Sequence, residues 1–424
     1  MDFLRYPHHV LADFVVQNAS ELFTCAGPAP RLRAAMGDAG RIENATLAAH
    51  DGRIAFVGAA SSAQRQLELT PDATVLDAKD CAVVPGFVDA HTHVVYLGDR
   101  RHELRRRLAG ATYAQIAAEG GGILSTVAAT RAASIEELVE ATKPRLGEML
   151  RAGTTTAEAK SGYGLTLDSE IRMLEAIVRL SVSQPIELAA TFMGAHGVPV
   201  GYPGGQEAFV RHLCDDMIPE IARRGVAEWC DVFCERGVFT PQETAAILEA
   251  GRRAGLKARL HANELGSTGG AQVAAELRVT SADHLVFLED AEIEALAASG
   301  VVATLLPSAA FHLKLGRFAP ARQLIDAGVA VAVATDVNPG GGLSPSMPFA
   351  MSLACFAMRL TFEEALVAAT LHGALSLGRA ERVGSLERGK QCDAVIVNGP
   401  AVELLRAGVN PVRQVIKRGR VVVG

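Results

Sequence analysis

From about residue 85 to about residue 378 the chain alternates between two kinds of pattern. Short β-branched or apolar runs end in a polar cluster, and a helical stretch then leads to the next run. Eight such runs can be counted, at 86–93, 154–161, 186–196, 227–235, 257–264, 279–285, 301–308 and 329–338. The stretches between them carry helix-start signals. Ser134 with Glu137 and Thr361 with Glu364 have capping-box spacing, and Pro144 is expected to kink or split the helix that Ser134 opens. Thr240, Pro241 and Glu243 combine a cap, a proline at the first helical position and a glutamate at the third, with Gly255 as the stop. Strands alternating with helices, counted to eight, predict an α/β fold of the (β/α)8 TIM-barrel type rather than an open sheet.

The two ends read differently. Residues 13–84 alternate like short antiparallel strands broken by turns such as Asp51-Gly52, with a Gly/Pro/Ala-rich stretch at 27–40. Strand-like runs return at 394–397 and 421–423. The expected organisation is a barrel over 85–379 and a small β-rich domain composed of 1–84 and 380–424.

Composition narrows the class. With 424 residues, 49% of them hydrophobic and 21% charged, the chain can bury a large core, and one barrel absorbs ~250 residues. A formal net charge of -6 gives no reason to expect nucleic-acid binding. Seven scattered cysteines do not make a disulfide framework, which points to a reducing cytoplasm. Cys230 and Cys234 lie four apart in an apolar run, where two buried thiols are a better reading than a metal pair. Residues 1–14 lack the apolar core of a signal peptide, and no run approaches the ~18 apolar residues of a membrane span.

In a barrel, function belongs at the C-terminal ends of the strands, and the polar residues fall there. His91 and His93 form an H-x-H pair whose imidazoles, two apart in a strand, can reach one ion. Alone, such a pair is as often a surface feature as a ligand set. His261 and Asp336 end other runs in the same way, and three histidines with an aspartate suit zinc or iron with room for a water. Asp89 is expected to orient a ligand histidine, and Lys160 to be a hydrogen-bonding lysine rather than a bridge between two metals. Arg100, Arg101, Arg105, Arg106 and Arg107 form a charge-rich stretch. A solvated helix face accounts for all of them but Arg100, which lies near the first strand's rim.

These motifs add up to a resemblance. P-G-F-V-D-A-H-T-H at 85–93, the later His261 and the late Asp336 resemble the metal set of the amidohydrolase superfamily. Further motifs are similar to the imidazolonepropionase family within it: Gly98-Asp99-Arg100, the glycine run 120–122 with Ile123, Lys160-Ser161-Gly162-Tyr163-Gly164, Gly194-Ala195-His196, His261-Ala262-Asn263-Glu264, Ser281-Ala282-Asp283-His284, Leu305-Leu306-Pro307 and 335–340. The resemblance implies one Zn or Fe ion on His91, His93, His261 and Asp336. It implies substrate contacts at Arg100, Tyr163, His196, Glu264, Asn338 and Gly340, and a catalytic role at His284. Asn263 stands where that family usually has aspartate, Gly341 where it has a substrate-touching serine or threonine, and His372 where asparagine is common.

The activity so implied is hydrolysis of the ring amide of 4-imidazolone-5-propanoate to N-formimidoyl-L-glutamate in histidine degradation, by a water that the metal activates. Asp336 and His284 are placed to take that water's proton and Glu264 to protonate or steer the ring nitrogen, with the acid and base roles of Glu264 and His284 left open. Arg100 would fork onto the propionate tail. The family also implies a homodimer. A nucleobase deaminase on the same scaffold would share the metal, His284 and Glu264 without needing Arg100. A barrel that only holds metal would need neither Glu264 nor His284, and no G-x-G-x-x-G supports a nucleotide-binding oxidoreductase.

Overall fold

The computed structural model describes residues 10–111, 115–116 and 119–424, so part of the expectation drawn from residues 1–14 lies outside the described residues. Among the described residues, sixteen strands form two sheets of eight. The N-terminal ones are β1 (Val10–Phe23), β2 (Arg41–His50), β3 (Arg53–Ala59), β4 (Leu67–Asp77) and β5 (Cys81–Pro85). Then come β6 (Phe87–Asp89), β7 (Thr154–Lys160), β8 (Glu187–Ala195), β9 (Trp229–Cys234), β10 (Lys257–Ala262), β11 (Ser281–His284), β12 (Val302–Leu305) and β13 (Ala330–Val333). Three close the chain: β14 (Ala394–Asn398), β15 (Val412–Lys417) and β16 (Arg420–Val423).

Strands β6 to β13 lie side by side in chain order, every pair parallel, with helices between them. Nearly every residue of these strands is buried, as expected where helices cover one face and the barrel interior the other. The first and last strands meet just beyond their ends: Thr92 bridges Val337, Asp336 N donates to His91 O at 3.0 Å and His93 N to Val337 O at 2.9 Å. This is the (β/α)8 barrel. One detail differs from the sequence reading. β6 stops at Asp89, so His91 and His93 sit on the segment that stitches the seam rather than on the strand itself.

The second sheet runs β16-β15-β14-β5-β1-β2-β3, with β4 also on β1, and so draws on both chain ends. The β2–β3 hairpin turns at Asp51 and Gly52, both at positive φ, as the dipeptide predicted. The sheet is mixed rather than antiparallel, because β4 and β5 return parallel to β1.

The capping boxes at Ser134, Thr240 and Thr361 all form. Helix Pro241–Arg253 gives way to Gly255 at φ +92° before β10 begins. Helix Ile135–Arg151 is continuous through Pro144, so of the kink or split expected there the split does not occur. Pro144 and Glu140, whose carbonyl loses its donor, are both exposed, so water can take over that bond.

Candidate active site

The C-terminal rim of the barrel surrounds a cavity. His93, Arg100, Tyr163, His196, His261, Glu264, His284, Asp336, Asn338 and Gly341 all line it. His91 is fully buried beside His93, with ring centroids 5.3 Å apart. Gly340 packs behind the cavity wall: a β-carbon there would stand 2.2 Å from the Arg100 guanidinium.

Nitrogen and oxygen atoms of the predicted ligand set converge. His93 Nε2 is 3.2 Å from His261 Nε2, and Asp336 Oδ1 is 3.6 Å from His91 Nε2 and 3.7 Å from His93 Nε2. Ligand bonds of ~2.0–2.1 Å at tetrahedral angles would put such atoms roughly 3.4 Å apart. His91 Nε2 is buried with no hydrogen-bond partner. Burial first, then the charge of neighbouring groups, holds His91 and His93 well below the usual histidine range, so both rings are neutral, the form that ligates. Burial also pushes Asp336 up to about 7, and a buried carboxylate is held ionised by a cation beside it. Asp336 has φ +52° and His284 φ +72°, backbone conformations that side-chain-bearing residues adopt at a cost. His284 falls into a second triple of nearby ligand atoms with His91 and His261.

Below this layer lies a fully buried charge network, contributed by alternate residues of four strands. Lys160 Nζ donates to Glu158 at 2.8 Å and to Asp231 at 2.6 Å; Arg259 reaches Glu158 at 3.1 Å and Asp283 at 3.2 Å. The aspartates then turn upward. Asp283 Oδ2 is 2.6 Å from His91 Nδ1, and Asp231 Oδ1 is 2.9 Å from His261 Nδ1. A ring nitrogen bound to a carboxylate carries the proton, which leaves Nε2 of each ring as the lone-pair donor facing the cavity. Lys160 is thus a hydrogen-bonding lysine. Asp89 is an orienting residue, through backbone rather than through a ring. Its carboxylate accepts from Thr335 N at 3.0 Å, from Thr335 Oγ1 at 2.6 Å and from the backbone N–H of His91, so it ties the residue before Asp336 to a ligand histidine.

The remaining walls are equally determined. His196 stacks on His93 with centroids 4.9 Å apart, and its Nδ1 donates to Gly162 O at 3.1 Å. Tyr163 packs against both rings. The loop that carries it is tied by Glu170, which accepts from the backbone N–H of Gly162, Gly164 and Leu165. Glu264 lies 3.7 Å from His284, and burial, with Asp336 and Glu235 nearby, raises its carboxyl well above the usual range. Asn338 shapes its own turn: Nδ2 donates to Asp336 O at 2.8 Å, and Oδ1 accepts from the N–H of Gly340 and Gly341.

Arg100 is buried, with Nε and Nη2 on Glu103 Oε2 at 2.9 and 2.7 Å. Arg107 is buried too, not solvated as the charge-rich stretch suggested; it donates to Gly340 O at 2.6 Å and His312 O at 3.2 Å. Every fourth residue of helix Arg101–Leu108 shares a face, which puts Glu103 and Arg107 inward while Arg101 and Arg105 stay exposed. Cys230 and Cys234 are two buried free thiols.

The amidohydrolase family matches residues 82–422. A curated imidazolonepropionase of Geobacillus kaustophilus (strain HTA426) is 48% identical over 413 residues, 96% of this chain and 97% of its own. The chain belongs to the imidazolonepropionase family. The imidazolonepropionase of Porphyromonas gingivalis (strain ATCC BAA-308 / W83) is 44% identical, with 98% of each chain covered. Solved structures with the same fold include a zinc-bound adenosine deaminase from Xanthomonas campestris (TM-score 0.70, 19% identity, 98% of this chain and 93% of the other) and an E. coli guanine deaminase (TM-score 0.71, 19% identity, 97% and 99%). Two departures from the imidazolonepropionase pattern lie off the cavity. Asn263 donates to Glu292 and Phe287 O, and accepts from Ala271 N. His372 binds Arg31 N and Val331 O. Gly341 is the departure that lines the cavity. Among the described residues no helix is long and apolar enough to cross a membrane.

Proposed function

We propose that this chain hydrolyses the ring amide of 4-imidazolone-5-propanoate to N-formimidoyl-L-glutamate, the step of histidine degradation that its relatives' name denotes, with one Zn or Fe ion held by His91, His93, His261 and Asp336. The observation that carries the reading is one cavity lined by His93, His261 and Asp336, with His91 buried beside them, by Glu264 and His284, and by a buried arginine. A bare deaminase or metal-holding barrel has no use for all three.

When bound, the ion supplies Lewis-acid activation of a water, the usual way to make hydroxide near neutral pH. The chain's own residues supply the rest. Asp283 and Asp231 orient His91 and His261 through their Nδ1 atoms, and Lys160 with Arg259 keeps those carboxylates in place. Asp336 and His284 accept the water's proton. Glu264, whose buried carboxyl favours the protonated form, gives a proton to the ring nitrogen as the C–N bond opens. Tyr163 and His196 form the opposite wall and keep water from the ring. Arg100 meets the propionate with its guanidinium, which Glu103 holds in place, and the Asn338–Gly341 turn borders the tail. The β-rich part from 1–84 and 380–424 buttresses the barrel of 85–379, and the chain works as a cytoplasmic homodimer on a small molecule, with no nucleic acid or membrane involved.

The test is direct turnover by metal-loaded protein, followed as loss of the substrate's ultraviolet absorbance. The expected result is conversion to formimidoylglutamate, abolished in His261→Ala, by chelation of the metal, and weakened in Arg100→Ala. Protein that holds one equivalent of metal and converts nothing would remove this substrate from consideration, and carboxylate-free deaminase substrates would follow.

A further inference from the structure

Resting on the reading of Arg100 as the tail clamp, we infer that Glu103 is a positioning residue that sets specificity for substrates with a carboxylate tail. No sequence motif marks Glu103, but the geometry around it is unusual. Its side chain is 2% exposed and both oxygens are engaged on separate structures. Oε2 accepts from Arg100 Nε and Nη2, and Oε1 accepts from Gly122 N at 2.8 Å. One carboxylate therefore couples the arginine to the glycine run 120–122. Gly121 is part of the fit, since a β-carbon there would stand 3.1 Å from Glu103 Oε1 and 2.7 Å from Ile116.

The guanidinium is clamped from the other side as well. Gly340 lies flat against it: a β-carbon at 340 would overlap Nη1, Cζ and Nη2. Arg107, one turn after Glu103, holds the carbonyl of Gly340. Arg100 is thus fixed in orientation before any substrate arrives. An arginine otherwise surrenders considerable side-chain freedom on binding, so a held fork binds a carboxylate with less entropy lost.

Removing Glu103 should therefore weaken binding of the tail while leaving the ring chemistry, which Glu103 does not touch, intact. The experiment compares metal-loaded wild type, Glu103→Ala, Glu103→Gln and Arg100→Ala on the tailed imidazolone and on the same ring lacking its propionate. Groups that orient a metal-ligating side chain typically cost about 10–100-fold when removed, and Glu103 orients Arg100 in the same way. The inference expects KM for the tailed substrate to rise by about that factor in Glu103→Ala, with kcat within about threefold and kcat/KM for the tailless ring unchanged. Glu103→Gln, which keeps one acceptor oxygen and the side-chain volume, should fall between; it also serves if the alanine variant does not fold. Equal losses on both substrates would assign Glu103 a merely structural role and overturn the inference. So would unchanged kinetics in both Glu103 variants while Arg100→Ala raises KM. If Arg100→Ala itself leaves KM for the tailed substrate unchanged, the tail-clamp reading fails first, and this inference with it.

Discussion

Gly341 and Gly342 are neighbours in one turn, yet a β-carbon meets opposite surroundings on them. At Gly342 it would stand 1.6 Å from Asp336 O, a backbone atom that cannot yield without moving the ligand residue. At Gly341 the nearest atoms are 3.5 Å away, on Asn338 and Leu313, which is ordinary contact. Gly342→Ala should therefore destabilise by about 3 kcal/mol and abolish turnover, since overpacking of this kind is relieved only by shifting backbone. Gly341→Ser should fold normally. If its hydroxyl reaches the substrate tail, as the serine or threonine usual in the family does, KM should fall about twofold to tenfold, the worth of one hydrogen bond. Thermal unfolding and steady-state kinetics on the two variants check both statements. At this scale the sequence was legible where residues with distinctive chemistry end a run: His91, His93, His261, Glu264, His284 and Asp336 all reach one rim. It was not legible for the bonds beneath them, which join residues far apart in the chain: Asp283 stands beside His284 in the sequence, but the ring it holds is that of His91, 192 positions away. For Asp89 the spacing from His91 points to the right histidine, whose backbone N–H it holds, while its bonds to Thr335 appear only once the barrel closes.

Among the elements, helix Pro241–Arg253 shows why the outer layer could be read so well. Its start is a reciprocal pair of bonds: Thr240 Oγ1 accepts from Glu243 N at 3.2 Å, and Glu243 Oε2 accepts from Thr240 N at 2.8 Å. Such signals are local, so they survive in a bare sequence. Gln206 adds a long-range third bond, donating to Glu243 Oε2 at 2.8 Å. Thr240→Ala should lower stability by about 1 kcal/mol, the common cost of a lost cap. Turnover should be unaffected, because the cap lies on the outer layer and touches none of the residues lining the cavity. A melting temperature lowered by a few degrees with unchanged kcat/KM is the expected pair of readings. Strand boundaries were less legible than helix starts. β6 is only Phe87–Asp89, because the H-x-H segment leaves the ladder to pair with Val337 across the seam. The parallel return of β4 and β5 onto β1 was also hidden, since alternation along a strand says which face is buried and nothing about which neighbour it pairs with.

For the molecule as a whole, the open question is what fastens the barrel to the sheet built from both chain ends. Glu187 is the centre of that joint. It begins β8 at the bottom of the barrel, away from the cavity, where barrels hold residues that serve stability. Arg379 reaches it at 3.2 Å and Arg382 at 2.7 Å, while Lys417 and Arg418, from the β15–β16 turn, approach at 3.8 and 3.4 Å. Burial by itself would raise this carboxyl, but Lys417, Arg382 and Arg379 outweigh it and bring it down to about 2 from the ordinary 4.5. A carboxyl depressed on folding stabilises the native state only where it would otherwise be ionised in both states. Its contribution is therefore full above about pH 4.5, and it is lost as the pH falls from there through about 2. The shift corresponds to about 3 kcal/mol, to be taken as about 2 once partial exposure to solvent is allowed for. Glu187→Gln should accordingly unfold more easily than wild type at pH 7, and the difference should shrink between pH 4.5 and pH 2. Other carboxyls titrate in the same window in both proteins, so the difference between the two melting curves, not either curve alone, reports on Glu187. A difference that stays constant down to pH 3 would mean that the joint depends on the shape of the side chain and not on its charge. Because the joint lies at the end of the barrel opposite the cavity, kcat/KM of the folded variant at neutral pH should match wild type. A matching fall in activity would show instead that the terminal sheet helps to hold the rim in place.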